Sequence, residues 1–224
     1  MKRTSLIFAV FSTLCTLPVQ AQALRQANFP DGTGSVGLPA GWQLTSAYRG
    51  SVSVSGPGGA AVILGVPWVV LRPESNLTQL PAAQTTPIAT PQNLALALSE
   101  VLAKRGSARL TGLRGQSLNG QALGGSAALL MYDFVQNGTA MTDLGYFAPL
   151  EYAGSDTWQL YSSAIVAPRA QFAQLAPTLM NVWKSWKPNG QAPLEGSASA
   201  RLDGALCQSR GSFDALQRQF RKLL

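Results

Sequence analysis

The sequence predicts an α+β domain, an antiparallel sheet sandwiched between helices, and three observations carry that expectation. Segments of strand period alternate with two segments of helical period, in the order strands, helix, strands, helix. Two Asn-Gly pairs, Asn119-Gly120 and Asn137-Gly138, lie between strand-like segments and have the composition of two-residue hairpin turns, which join antiparallel neighbours. The stretch Ala127 to Val135 is apolar at both alternating sets of positions, as a strand covered on both faces requires. No internal repeat at a period of about 20 to 50 residues divides the chain.

The elements follow in order. Residues 1–23 read as a secretory signal: Met1, Lys2 and Arg3 precede the apolar run Leu6 to Leu17, and Val19-Gln20-Ala21 or Ala21-Gln22-Ala23 offers a small-x-small cleavage site. The run is well short of the roughly 20 residues that span a bilayer, so cleavage and export to periplasm or medium are expected. Leu14 precedes Cys15 where lipid attachment would want a small residue, which argues against a lipoprotein.

The domain itself is expected over residues 24–188. Phe29-Pro30-Asp31-Gly32-Thr33-Gly34 is a turn, Ser35 to Leu38 a short strand, and Pro39-Ala40-Gly41-Trp42 a second turn. Ser51-Val52-Ser53-Val54-Ser55 alternates strictly; Gly56-Pro57-Gly58-Gly59 then reverses the chain into the apolar run Ala60 to Val70. The expectation is a hairpin of one edge strand and one buried strand. Residues 71–90, with Pro73, Pro81 and Pro87, form a loop long for a compact domain.

Thr90 and Pro91 then open a helix whose Leu94, Leu98, Val101 and Leu102 share a face up to Gly106. Glu100 and Lys104 are spaced to pair along it, and Lys104 and Arg105 suit its C-terminal dipole. Trp158 to Val166 is a further strand. Pro168 opens a second helix carrying Phe172, Leu175, Leu179, Trp183 and Trp186, with Pro177 inside it and Pro188-Asn189-Gly190 after it.

Two of these segments resemble a known group. Ser35-Val36-Gly37-Leu38-Pro39-Ala40-Gly41-Trp42 is similar to the opening strand and Pro-x-Gly-Trp turn of the Mog1/PsbP/DcrB-like domains, and Trp183-Lys184-Ser185-Trp186 resembles the Ser-aromatic close of their last helix. The order of elements agrees over about residues 28 to 188. The resemblance implies an α/β/α sandwich and accessory or binding roles, and it brings no catalytic residues with it.

Composition agrees with a folded domain: 46% of residues are apolar and 12% charged. Removing the signal leaves Cys207 as the single cysteine, so no intrachain disulfide is available; it is an inert thiol or a link to another chain. The formal charge of +7 falls to +5 without Lys2 and Arg3, and residues 201 to 224 hold five basic side chains against two acidic ones. The remaining body lacks the basic stripe with interleaved aromatics that a nucleic-acid surface needs, so no nucleic-acid partner is expected.

Chemistry is constrained in the same way. The chain has no histidine, which excludes Ser-His-Asp and Cys-His nucleophile pairs and His-ligated metals. Cys207 lies in a Gly, Ser and Ala-rich tail without a base nearby. If Asn137-Gly138 is a two-residue turn, Tyr132 faces Asp143 and Asp133 faces Thr142, so the two carboxylates point to opposite faces and share no substrate. Asp133 is then a satisfied polar group near a strand end. Glu151 and Asp156 flank a turn without the acidic spacing of an EF-hand. Lys184 and Ser185 are adjacent on a helix and diverge, and no Gly-rich stretch has phosphate-loop spacing. Asn76 and Asn137 begin glycosylation sequons, relevant only in a glycosylating host. No catalytic residues, metal or cofactor are expected.

Residues 189–204 turn to Gly, Pro, Ser, Ala and Gln, a linker. Residues 205–224 hold an amphipathic tail helix: Ser212 can cap it, Phe213, Leu216, Phe220 and Leu223 form one stripe, and Arg218, Arg221 and Lys222 load its end. Three docking surfaces compete for it, namely its own sandwich, an envelope partner protein, and an anionic membrane surface in peripheral contact. The expectation is an exported, non-catalytic accessory or binding protein of the envelope or medium, acting through the 71–90 loop, the tail, or both. The alternative is a small-ligand or carbohydrate carrier using a cleft lined by Trp42, Trp68 and Trp158.

Overall fold

The computed structural model describes residues 23–72, 86–87, 97–99, 111–118, 127–151 and 155–189. Its strands in chain order are β1 (Arg25–Asn28), β2 (Gly34–Leu38), β3 (Gln43–Tyr48), β4 (Ser51–Ser55), β5 (Ala61–Leu71), β6 (Thr86–Pro87), β7 (Thr111–Leu118), β8 (Ala127–Gln136), β9 (Thr139–Glu151) and β10 (Thr157–Pro168). A helix, α1 (Phe172–Ser185), and a two-residue strand, β11 (Lys187–Pro188), close the series. The fold is dominated by one sheet in the order β3-β4-β5-β10-β9-β8-β7, with β6 beside the far end of β5; a small sheet, β1-β2-β11, accompanies it. Every pairing is antiparallel except β5 with β6.

Local chemistry explains the corners. At Asn137-Gly138 both residues have positive φ, 50° and 78°, and Gln136 pairs with Thr139, which is the two-residue turn expected from the Asn-Gly pair. The turn between β1 and β2 is organised by Asp31, whose carboxylate accepts from the Thr33 amide at 3.0 Å, the Thr33 hydroxyl at 2.6 Å and the Arg49 amide at 2.7 Å. Those donors favour the charged form and hold its pKa below the usual carboxylate value, the Thr33 hydroxyl most of all. One side chain thus joins the β1–β2 turn to the β3–β4 turn.

Alternation along each strand sorts the apolar residues onto two faces. On the first face, Val52, Val54, Val62, Leu64, Leu129, Tyr146, Tyr161 and Ile165 meet Phe172, Leu179, Val182 and Trp183 of α1 in one buried cluster, which also takes in Val36 and Leu38 of β2. The two motifs behind the PsbP-like resemblance are structural anchors of this layer. Ser185 Oγ accepts from the Gly37 amide at 2.7 Å and donates to the Val182 carbonyl at 2.6 Å, tying the helix end to β2. Trp186 donates from Nε1 to the Gly50 carbonyl at 3.0 Å. Its ring lies over Gly65, where a Cβ would come within 2.9 Å of it and where φ is +69°. Gly65 is the extra residue of a bulge that steps the β5–β10 register between Ser162 and Ala164, a position that suits only glycine on both counts.

The second face carries a separate cluster: Val70, Ala128, Leu130, Tyr132, Phe147, Trp158 and Leu160, joined by Ala97 and Leu98. Residues 97–99 are helical, and they are the described part of the helix expected over 90 to 106.

Several expectations need correction. The Ser51–Ser55 strand is interior rather than an edge, because Gln43–Tyr48, not foreseen as a strand, pairs outside it and takes the edge. Val135 is 59% exposed: β8 is covered on both faces only over its first half and then runs out of the sheet's cover. Strands β1 and β11 are too short to show a period. Within the expected 71–90 loop, Thr86 and Pro87 pair with Val70 and Leu71. The signal residues 1–22, the Asn119-Gly120 turn, Cys207 and the tail helix with Phe213, Leu216, Arg218, Phe220, Arg221 and Lys222 lie outside the described residues.

Candidate functional site

A cavity of about 490 Å3 opens on the second face of the main sheet. Its floor is made by inward side chains of four successive strands: Ile63 and Trp68 of β5, Ser162 and Ala164 of β10, Met141, Asp143 and Phe147 of β9, and Tyr132 and Phe134 of β8. Leu98 contributes from the helical segment, and the Gly58-Gly59 turn and Asn137 form the rim at one end. The lining is mostly apolar with a few polar atoms, which is the usual make-up of a small-molecule site.

Each wall has a local reason. Gly145 leaves the room that the Phe147 ring occupies, since a Cβ there would lie 2.7 Å from Phe147 Cε2 and 2.9 Å from the Ala164 Cβ. Trp68 is held by its indole N–H, which donates to Ser162 Oγ at 2.9 Å; Ser162 in turn donates to the Val66 carbonyl at 3.2 Å. The Tyr132 ring packs against Phe134 and Phe147 with centroids 6.1 and 6.4 Å away, tilted by 48° and 44°. Such inclined contacts set the negative faces of the rings at angles to one another.

Asp143 is the chemical centre. It is 7% exposed and faces Tyr132 across the β8–β9 ladder, in the register the Asn-Gly turn dictates. The Tyr132 hydroxyl hydrogen-bonds its carboxylate, while Oδ1 has no partner among the described residues. Burial pushes the carboxyl up to about 7, and the Tyr132 bond offsets only part of that rise. The tyrosine is pushed well above its ordinary value by its own burial and then by the neighbouring carboxylate. Among the described residues no Lys or Arg lines the cavity. A buried carboxylate without a counter-charge is costly, so this one can accept a hydrogen bond or a positive charge from a bound molecule, or take up a proton near neutrality.

The other carboxylate of the hairpin is already engaged. Asp133 pairs in register with Thr142, accepts from its hydroxyl at 2.6 Å, and lies 3.5 Å from Arg169, on the face opposite Asp143. Among the described residues no group of three or more Cys, Asp or Glu side chains could hold a metal.

The three tryptophans proposed as a cleft do not meet. Trp42 is buried in the first-face cluster and Trp158 is fully buried in the second, while Trp68 alone of the three lines the cavity. Trp42 follows the turn of residues 39–41 and its ring lies against Gly56, whereas Trp158 and Trp68 sit on β10 and β5 two register steps apart. Sequence reasoning missed Tyr132 and Asp143 as a site. The signal was present: an acidic residue in the middle of a segment otherwise apolar on its inner positions.

No family model matches the chain, and no curated protein matches it. Solved structures that are similar include the cyanobacterial PsbP of Synechocystis sp. PCC 6803, with 14% identity and a TM-score of 0.37 over 76% of this chain and 95% of that one. LpqN of Mycobacterium tuberculosis, described as involved in cell envelope biogenesis, shows 12% identity and a TM-score of 0.34 over 74% and 90%. A Pseudomonas aeruginosa protein of unknown function, PA94, shows 13% and 0.31 over 75% and 98%. The first bears the PsbP name to which the Ser35–Trp42 motif points; none is near enough to lend this chain an activity.

Proposed function

We propose that this chain is an exported, non-catalytic binding protein of the cell envelope or medium that holds a small, largely apolar ligand in the cavity on the second face of its sheet. The observation that carries the reading is a roomy apolar cavity with one buried, incompletely bonded carboxylate in its wall. Protein interiors are close-packed and hold few voids larger than a water molecule, so a space of this size is out of the ordinary. The Met1 to Ala23 segment supports export, and the helical residues 97–99 over Leu130 and Phe147 support a second helical layer, hence an α/β/α sandwich.

The test is binding of a neutral, environment-sensitive apolar dye such as N-phenyl-1-naphthylamine to wild type and to Ala61→Phe, which places a ring at the half-buried margin of the cavity. Saturable binding of one dye per chain, weakened at least tenfold by the substitution at unchanged melting temperature, is the expected result. Equal binding by both proteins would place the dye elsewhere and end the reading. Partner contacts through the tail stripe Phe213, Leu216 and Phe220 and the basic Arg218, Arg221 and Lys222 are a second proposal, resting on the amphipathic spacing.

A further inference from the structure

We propose that the cavity selects ligands carrying a protonated amine on an apolar body, with Asp143 as the counter-charge and Tyr132, Phe134 and Phe147 as the surrounding aromatic wall. This rests on the cavity being a ligand site, as proposed above. Three features converge on a cation. The carboxylate is more than nine-tenths buried and lines the cavity, with Oδ1 unpartnered among the described residues. Around it stand aromatic rings, whose faces attract an ammonium within about 6 Å of the centroid. And among the described residues the cavity lining holds no Lys or Arg that would neutralise the carboxylate first.

A hydroxyl donor could bond Oδ1, but it would leave the ionised carboxylate's charge uncompensated in an apolar surrounding; an ammonium bonds and neutralises it together. An anionic ligand is disfavoured by the same carboxylate. The apolar residues Ile63, Met141 and Leu98 would cover the hydrocarbon part. The amine is bound as it is, with no bond made or broken.

A pH dependence follows, and its sign can be fixed from the groups present. Facing Asp143 from β8 is Tyr132; β10 presents Ser162, Ala164 and Val166, β5 presents Ile63 and Trp68, and the helical segment presents Leu98, so Tyr132 is the other titratable group among the described lining residues. In the free protein the Asp143 carboxyl loses its proton near pH 7. An alkylammonium, like a lysine side chain with its pKa of about 10.4, stays charged well above that. Amine affinity therefore rises with pH up to about 7 and levels off above it, falling by up to about tenfold per pH unit below, because the proton must be displaced.

The experiment is titration calorimetry of the full chain with three probes of equal length, nonylamine, 1-nonanol and nonanoic acid, at pH 5.5 and pH 8. Nonylamine should bind at pH 8 at least tenfold tighter than nonanol and lose about tenfold or more at pH 5.5. Asp143→Asn should erase both the preference and the pH effect while still binding nonanol. Tyr132→Phe, which removes the hydrogen bond and raises the carboxyl further, should move the midpoint of the pH effect upward. Amine and alcohol binding equally tightly, or a preference that survives Asp143→Asn, overturns the amine selectivity and leaves the cavity as a ligand site. Failure of all three probes at both pH values overturns the selectivity too, and with the naphthylamine result it tells whether the cavity itself binds anything.

Discussion

The two faces of the main sheet are built by the same strands and end in different states. On the α1 face, Leu64, Leu129, Ile165, Leu179 and Val182 are essentially without solvent contact, and Ser185 Oγ and Trp186 Nε1 are both hydrogen-bonded to backbone carbonyls. On the other, Ile63 and Trp68 stay half-buried around an open volume, and a carboxylate sits in the wall with one oxygen unmatched. Since adjacent residues of a strand serve opposite faces, natural sequence variation could have filled both equally well. What separates them is one buried carboxylate at an inner position, Asp143, and small residues, Ala164 in the cavity wall and Gly145 beside Phe147. The contrast teaches that a sheet face can be left unfinished without loss of the fold when the opposite face supplies the tight packing.

Neighbouring residues of β5 give the sharpest way to break that comparison. Leu64→Ala removes a side chain wholly enclosed on the α1 face and should cost about 2–5 kcal/mol, read from urea denaturation. A loss below about 1 kcal/mol would mean the α1 face is not the tightly packed one.

Asp143→Asn should act in the opposite direction. The carboxyl ionises near 3.8 in the unfolded chain and near 7 in the folded one, so in between folding takes up a proton and stability declines as pH rises. Below about pH 4 the residue contributes no pH dependence, and above about 7 the penalty is constant. The ligand-free variant should therefore match wild type near pH 4 and exceed it at pH 8 by roughly 2–4 kcal/mol. Parallel curves for the two proteins from pH 4 to 8 would show that the carboxylate is not desolvated.

Ile63→Ala, on the cavity side of the same strand, should cost only about 1 kcal/mol, because its side chain is half in solvent already and its removal enlarges an existing space. At the exposed end of β8, Val135→Thr should stay within about 0.5 kcal/mol of wild type. If Ile63 and Leu64 proved equally costly, the distinction between the faces would fail.

Much of the fold is legible in the sequence because two signals are local. Strict alternation at Ser51–Ser55 and the Asn137-Gly138 turn set strand, register and facing pairs without any long-range information, and the pairing of Tyr132 with Asp143 follows from them. Strand β3 was not legible because its alternation is weak, with mostly exposed residues along an edge, and β1 and β11 have too few residues to carry a period. The site was legible only in part. The register identified which side chains face each other, but whether Asp143 is buried depends on what covers the sheet, and that is a tertiary fact. The tryptophans misled for the same reason: a bulky aromatic near a strand marks a place where surface is buried, without saying on which side.

The small sheet has a mechanical meaning. Residue 25 lies opposite Leu38 at one end of β2, and residue 188 lies opposite Gly34 at the other, so β1 and β11 point the same way on either side of it. Asn189 adds hydrogen bonds to the carbonyls of Thr33 and Gly32, both at 2.8 Å. A pull applied outward at Arg25 and Pro188 runs along the strands, and it loads these bonds together in shear instead of peeling them one at a time. Tension entering at either end is carried across this three-stranded clasp, and the strands that shape the cavity stay out of its path.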